Sequence, residues 1–403
     1  LKLNKAASAL ITGVLCWTIY IFQSESADIV SEELLHHLGE ISSILFFLLG
    51  AMTIVELIDS HDGFDIITQK ITTTSKSKLL LIIITLTFFL SALLDNLTTA
   101  IVMASLCAKI LTEKEDKLWF CGMIVIAANA GGAWSPLGDV TTTMLWIGGQ
   151  ITALNIMKQL ILPSIAVCVL PALIVAFRFR GKKITAIPPS TCTQEEKKDG
   201  RIILFAGISL LIFVPVFKTV THLPPFMGML LALGLIWVIA TIIHNDKETE
   251  EAAKYNVANA MKKIDTPSVL FFLGILLAVS ALQSFGLLKE MATMRNSTLK
   301  NDYMIGVALG LLSAIVDNVP LVAASQGMYD LTTYPTDHSF WVFLALTTGT
   351  GGSAIIIGSA AGVAVMGIEK INFIWYLKKI GWLALLGFAA GVLVFLLQIQ
   401  LLH

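Results

Sequence analysis

The chain has 403 residues, of which 56% are hydrophobic and 14% charged, with a formal net charge of -1 and a mean hydropathy of +0.81. A soluble domain carries about 25% charged residues, so composition excludes a soluble enzyme or binding module. No period-two alternation supports a β-barrel, and no basic block interleaved with aromatic residues points to nucleic acid. Apolar runs such as Leu79 to Leu94 and Leu204 to Phe217 recur along the whole length. They predict an all-α polytopic membrane protein, because in hydrocarbon the backbone must satisfy its own hydrogen bonds within helices. Cys16, Cys107, Cys121, Cys168 and Cys192 form no close pair and read as small hydrophobes.

In chain order, simple spans are predicted at 6–22, 40–58, 158–177, 201–217, 226–243, 267–285 and 380–400, with broken spans at 118–150 and 339–369. Two other segments do not fit one crossing. From Leu79 to Ala108 the only charge is Asp95. As one straight helix this run would be ~45 Å long, against a hydrocarbon core of about 30 Å. Folded back at Asp95-Asn96, the segment 79–111 becomes a re-entrant hairpin whose arms enter and leave on one side. The segment 303–329 reads the same way, with Asp317-Asn318-Val319-Pro320 at its tip and the proline helping to end the first arm.

The distribution of basic residues supports this folding. With Lys2 and Lys5 inside, only Lys158, Lys218, Lys289, Arg295 and Lys300 fall outside, against 22 of the 27 Lys and Arg residues inside. A full crossing at 79–111 would invert every later connection and erase that bias. The first hairpin is therefore expected to open inside and the second outside.

The loop 178–200, with its basic run and Pro188-Pro189, separates two halves, 1–177 and 201–403, whose sequences repeat. Ser91-Ala92-Leu93-Leu94-Asp95-Asn96 answers Ser313-Ala314-Ile315-Val316-Asp317-Asn318, and Ala130-Gly131-Gly132 answers Thr350-Gly351-Gly352. Phe46-Phe47-Leu48-Leu49-Gly50 similarly answers Phe271-Phe272-Leu273-Gly274, and Trp17 answers Trp237. Equivalent elements start on opposite sides, so the expectation is two inverted-topology repeats, a design found in many secondary transporters. The second half has two spans before its Phe-Phe helix and the first has one. An N-terminal helix before Leu1 is therefore expected, which puts both termini of the intact chain outside.

An ionised carboxylate at the bilayer centre costs about 2.5–3.5 kcal/mol, so intramembrane acids mark function. Three qualify: Asp95, Asp139 and Asp317. The stretch from Asn129 to Thr143 includes Gly131, Gly132, Pro136 and Gly138, which should unwind the helix near the midplane. Its exposed carbonyls, the Ser135, Thr141 and Thr142 hydroxyls and the Asn129 amide would then offer hard oxygen ligands suited to Na⁺. The matching break from Thr347 to Ser359 holds Ser353 and Ser359 but no acid, so the charged site is expected in the first half. Glu56, near His61, is a secondary proton-path candidate. His37 and Glu40 read as solvated, and the runs Glu113–Lys117 and Asp246–Glu251 as surface charge. Trp119, Trp341 and Trp382 read as an interfacial belt, with Trp134 and Trp146 packing the break. No nucleotide-binding glycine loop, Cys/His metal spacing or Ser-His-Asp set is present, so no cofactor is expected.

The stretches Phe46–Asp65, Leu93–Met103, Asn129–Ile151 and Ser313–Ala324 resemble the NhaD type of sodium/proton antiporter, within the ion transporter superfamily. The resemblance covers essentially the whole chain and is most specific in Asn129 to Ile151. It implies functional roles for Asp95, Asn96, Asn129, Asp139, Thr141, Thr142, Ser313 and Asn318. The acid-free second break itself makes Asp317-Asn318 read as a supporting or gating counterpart of Asp95-Asn96 with Asp139. Ser353 and Ser359 match less tightly. The family's extra N-terminal helix agrees with the span missing from the first half. The implied activity is exchange of Na⁺ or Li⁺ for H⁺ across a bacterial-type inner membrane, with a homodimer as one assembly. Na⁺ is expected on Asp95, Asn96, Asp139, Thr141 and Thr142, and Asp95→Asn is expected to abolish exchange. Anion, arsenite or dicarboxylate carriage on the same fold is the alternative, and an intramembrane aspartyl protease is disfavoured by the absence of its motifs.

Overall fold

The computed structural model describes residues 4–24, 26–64, 71, 73–184, 194–244, 255–291 and 301–402, and these are helical apart from caps and connections. The first half contains α1 (Lys5–Gln23), α2 (Ala27–Ser60), α3 (Lys76–Leu94), α4 (Asn96–Ile110), α5 (Lys114–Ala133), α6 (Val140–Ile147) and α7 (Ala153–Arg178). The second contains α8 (Gln194–Thr221), α9 (Pro225–Ile243), α10 (Val257–Lys263), α11 (Thr266–Ser284), α12 (Asp302–Leu312), α13 (Asn318–Met328), α14 (Ser339–Gly351) and α15 (Ala360–Glu369). There α16 (Phe373–Tyr376) runs through a π-helical turn, Leu377–Gly381, into α17 (Trp382–Leu402). Asn4, Ser26, Asn256, Asp265 and Asn301 start their helices by accepting a first-turn N–H.

Eight of these helices are long and apolar enough to cross a bilayer. The protein is a multi-pass membrane protein. Its interior is built on α5 and α14, which are buried from Trp119 to Ala133 and from Phe340 to Gly351. Around α5 pack α3, α4, α7, α14 and α15, while α12, α13, α6, α7 and α17 pack on α14. Outside this centre, α1 lies on α11, where Gly13 approaches Gly274, and α2 lies against α9 and α11.

The two broken helices make the same backbone contacts. Gly131 abuts the carbonyl of Phe88, Gly132 that of Gly138, and Gly138 that of Ser91. A constant step of 220 residues later (131 to 351, 132 to 352, 138 to 358), Gly351 abuts Gly310, Gly352 abuts Gly358, and Gly358 abuts Ala314. A side chain at any of these glycines would overlap main-chain atoms, which explains the glycine pairs. Ser91 donates its hydroxyl to the Ala128 carbonyl at 2.6 Å, and Ser313 donates to the Thr348 carbonyl at 3.0 Å.

Several sequence expectations change. Helix α2 begins at Ala27 rather than near 40, because Ser26 caps it and an amphipathic extension carries it beyond its apolar part. Pro320 does not end the first arm: α12 stops at Leu312, and Pro320 sits in the first turn of α13. There its missing N–H costs nothing, because first-turn donors have no intrahelical partner. Asp116 is not surface charge. It is buried in an ion pair with the buried Lys76. Trp341 is fully buried with its indole N–H on the Tyr334 carbonyl, and Trp119 is buried under the Arg178 guanidinium, so only Trp382 of that belt is exposed. The second half's first helix starts at Gln194, inside the 178–200 connection. Residues 185–193, with Cys192, and the run Asp246–Glu251 lie outside the described residues.

Candidate functional site

Asp95 terminates α3 with φ 75° and ψ 157°, a left-handed-side geometry unusual for a residue with a side chain. Its carboxylate offsets that strain by capping α4. One oxygen accepts the Thr98 N–H at 2.9 Å and the other the Thr98 hydroxyl at 2.7 Å. Asp139 caps α6 in the same manner, and Asp317 caps α13 through the Val319 N–H at 3.1 Å. Ser359 caps α15 through the Gly362 N–H at 3.2 Å. Four helix N-termini thus carry three Asp caps and one Ser cap.

Three of these termini meet at Asp139, and the Ser359 cap is joined to it through Asn129. Asp139 is 2% exposed. Its Oδ1 accepts from the Thr141 N–H at 2.9 Å and from the Thr141 hydroxyl at 2.8 Å. Its Oδ2 accepts from the Asn96 amide at 2.6 Å, and the Asn318 amide stands 3.3 Å and 3.4 Å from the two oxygens. The asparagines that follow Asp95 and Asp317 therefore converge on one carboxylate. Asn96 also donates to Asn129 Oδ1 at 3.1 Å, and Asn129 donates to the Ser353 and Ser359 hydroxyls at 2.9 Å and 3.0 Å. The result is one buried polar network joining the first turns of α4, α6 and α13 to α5 and the cap of α15.

The charge balance restricts what this centre can accept. Each helix N-terminus behaves as about half a positive charge, so four supply roughly +2. The three carboxylates, when all are ionised, supply -3 at these caps. About one negative charge remains for a monovalent cation or a proton to neutralise. Bare N-termini would instead attract an anion. The aspartates at the caps reverse that preference.

The remaining predicted residues divide. Thr142 donates to the Asp139 carbonyl at 2.9 Å and shapes the turn without offering its hydroxyl to the centre. Ser135 is buried and accepts the Leu137 N–H. Ser313 spends its hydroxyl on the Gly310 and Thr348 carbonyls, so it fastens α12 to α14 and does not reach Asp139. Glu56 is remote from the network, ion-paired with Lys263 at 3.3 Å and bonded to Ser60. Three groups that sequence reading missed adjoin the site. Thr98 holds Asp95, Ser91 mirrors Ser313, and the buried Tyr376 donates to the Ser353 carbonyl at 2.9 Å. Ser91 was detectable as the repeat equivalent of Ser313. Tyr376 carried no sequence signal.

Residues 2–349 match a family model described as a citrate transporter. Among curated proteins, the chain is 46% identical over 397 residues to "Sodium/proton antiporter 1" of Arabidopsis thaliana, covering 98% of this chain and 69% of that protein. It is 44% identical to "Sodium/proton antiporter 2" of the same plant, covering 98% and 94%. It is 31% identical over 428 residues to "Na(+)/H(+) antiporter NhaD" of Vibrio cholerae, covering 98% and 87%. The chain belongs to the NhaD-type sodium/proton antiporters of the ion transporter superfamily. Within that family, Asp139 and its two asparagine donors lie in stretches that already resembled it, Leu93–Met103, Asn129–Ile151 and Ser313–Ala324.

Proposed function

We propose that this protein exchanges Na⁺ or Li⁺ for H⁺ across a cell membrane, with cation and proton competing for Asp139. The observation that carries this reading is one buried carboxylate at the junction of three helix N-termini, receiving both tip asparagines. A proton on Asp139 removes the charge a cation needs, and a bound cation opposes protonation. Loading one therefore expels the other. Thr141, Asn96 and Asn129 supply oxygen ligands once their amides and hydroxyls turn, with Asp95 and Asp317 adding field from the flanking caps.

Alternating access completes the reading. The segments 79–111 and 303–329 act as re-entrant hairpins of two inverted repeats, the first open inside and the second outside. Three features support this: the helix ends at Asp95 and Asp317, the matched glycine contacts at a step of 220 residues, and the basic-residue bias. Movement of the α2, α11 side against the centre around α5 and α14 would expose Asp139 to either face.

The test is Na⁺-driven proton movement in everted vesicles. Wild type dissipates a preset ΔpH on addition of Na⁺, and Asp139→Asn does not. An undiminished response in Asp139→Asn removes the assignment. A second reading, carriage of a small carboxylate, is favoured by the family model's description. Citrate or succinate, rather than Na⁺, driving ΔpH changes would establish it.

A further inference from the structure

Away from Asp139, a cavity of about 440 Å³ opens beside α2 and α11. Its polar lining includes His37, Glu40, Gln150, Gln283 and Gln326. Its floor is apolar. Ile44, Met144, Leu276 and Ala323 line it and belong to one buried cluster with Val319, which follows Asn318, and against which packs Val140, which follows Asp139. One apolar layer therefore separates this cavity from the Asp139 network.

At the rim, the side chains of His36, His37 and Glu40 bring one ligand atom each to within 4.8 Å of one another. His36 and Glu40 stand one helical turn apart, a spacing that places both on one face of α2. His37 Nδ1 lies 3.4 Å from Glu40 Oε2. Two ligands of a tetrahedral zinc ion, with bonds of about 2.1 Å, sit ~3.4 Å apart, so this pair already has the required separation. The third, His36, is exposed and free to close the remaining gap. The other ring nitrogen, His37 Nε2, is 3.2 Å from the Ser284 hydroxyl of α11, and the ring lies 6.1 Å from Trp17. Metal-bound histidines carry such an outer hydrogen bond, which selects the tautomer and holds the ring. The Ser284 hydroxyl can donate to Nε2 or accept from it, so Nδ1 either donates to Glu40 or, in the other tautomer, shares a cation with it.

We propose that His36, His37 and Glu40 bind a zinc-class divalent cation at the rim of this cavity, and that the bound metal slows cation exchange. Two imidazoles and a carboxylate are a donor set for Zn²⁺ rather than for Na⁺ or Mg²⁺, and three ligands leave a fourth position for water. The dipositive charge beside the polar lining would repel Na⁺ approaching Asp139 from this face. The slowing rests on the antiport reading above, whereas the binding does not.

The experiment titrates purified full-length protein in detergent with ZnCl₂ by calorimetry, then adds ZnCl₂ to proteoliposomes during Na⁺-driven exchange. Wild type is expected to bind one Zn²⁺ per chain, with binding lost as the pH is lowered because histidine ligands must be neutral. His36→Gln, His37→Gln and Glu40→Gln should each weaken binding at least about tenfold, the loss seen even for groups that only support a ligand. Without metal all three should exchange Na⁺ at the wild-type rate, and they should resist Zn²⁺. Absence of binding to wild type, or equal binding to the variants, overturns the site. Binding at these residues with exchange unaffected by Zn²⁺ overturns the regulatory role. Triad-dependent binding in a protein that exchanges no Na⁺ keeps the site and removes the antiport reading instead.

Discussion

The two broken helices share a backbone and differ in charge. At Gly131-Gly132 and Gly351-Gly352 the glycine contacts match, and Ser91 and Ser313 fasten equivalent strands of main chain. Yet Asn129 and Asp139 of the first break stand where the second has Gly349 and Ser359. The matching contacts give both breaks one backbone, and the unshared side chains put the carboxylate in the first. The second break serves the first: its Ser353 and Ser359 orient Asn129, and the first turn of α13 lends Asn318 to Asp139. Repetition supplies the frame, and asymmetry supplies one charged centre.

Substitutions that separate charge from frame test this contrast. Asp139→Asn should have the largest effect. Asparagine still caps α6, so the fold persists, but a direct charge contact worth several kcal/mol is lost. Apparent Na⁺ affinity, read as the concentration for half-maximal exchange, should fall about 100-fold or more. Gly131→Ala and Gly351→Ala come next and should behave alike, because each drives a methyl group into main-chain atoms. Each should lose about 1–3 kcal/mol of stability, read as a lower unfolding temperature in detergent. A large difference between the two would break the equivalence of the frames. Asp95→Asn keeps its cap and removes a charge acting from farther away, so Na⁺ affinity should fall about tenfold rather than vanish. The smallest effect is expected for Ser353→Ala with Ser359→Ala. Freeing the Asn129 amide costs about 1 kcal/mol, or roughly fivefold in affinity.

Much of this frame is legible in the amino-acid sequence. Intramembrane acids and glycine runs mark where helices stop, and the helix ends at Leu94, Ala133, Ile147 and Gly351 lie at or beside those marks. Of the eight residues that the resemblance implies together, Asn96, Asn129, Asp139, Thr141 and Asn318 share one network of hydrogen bonds. Other features depend on partners that no local pattern encodes. Asp95 and Ser313 look like ligands by residue type, and the structure adds what type alone does not show: Asp95 caps α4 through Thr98, and Ser313 donates to the Gly310 and Thr348 carbonyls. Asp116 sits in a charged run indistinguishable from solvated surface until Lys76 is brought to it from the start of α3. Pro320 breaks helices in their middle and is harmless in their first turn, a distinction set by where α13 begins. Glu40 read as solvated and is exposed, whereas His37 is half-buried because the cavity beside it needs α2, α6, α11 and α13 to be assembled.

The central claim is that Na⁺ and H⁺ exclude each other at Asp139. Proton release on adding Na⁺ to purified protein in weakly buffered detergent, followed with a pH indicator, tests it without any vesicle. Wild type should release protons on Na⁺ addition and Asp139→Asn should release none. Equal release from both would contradict the account.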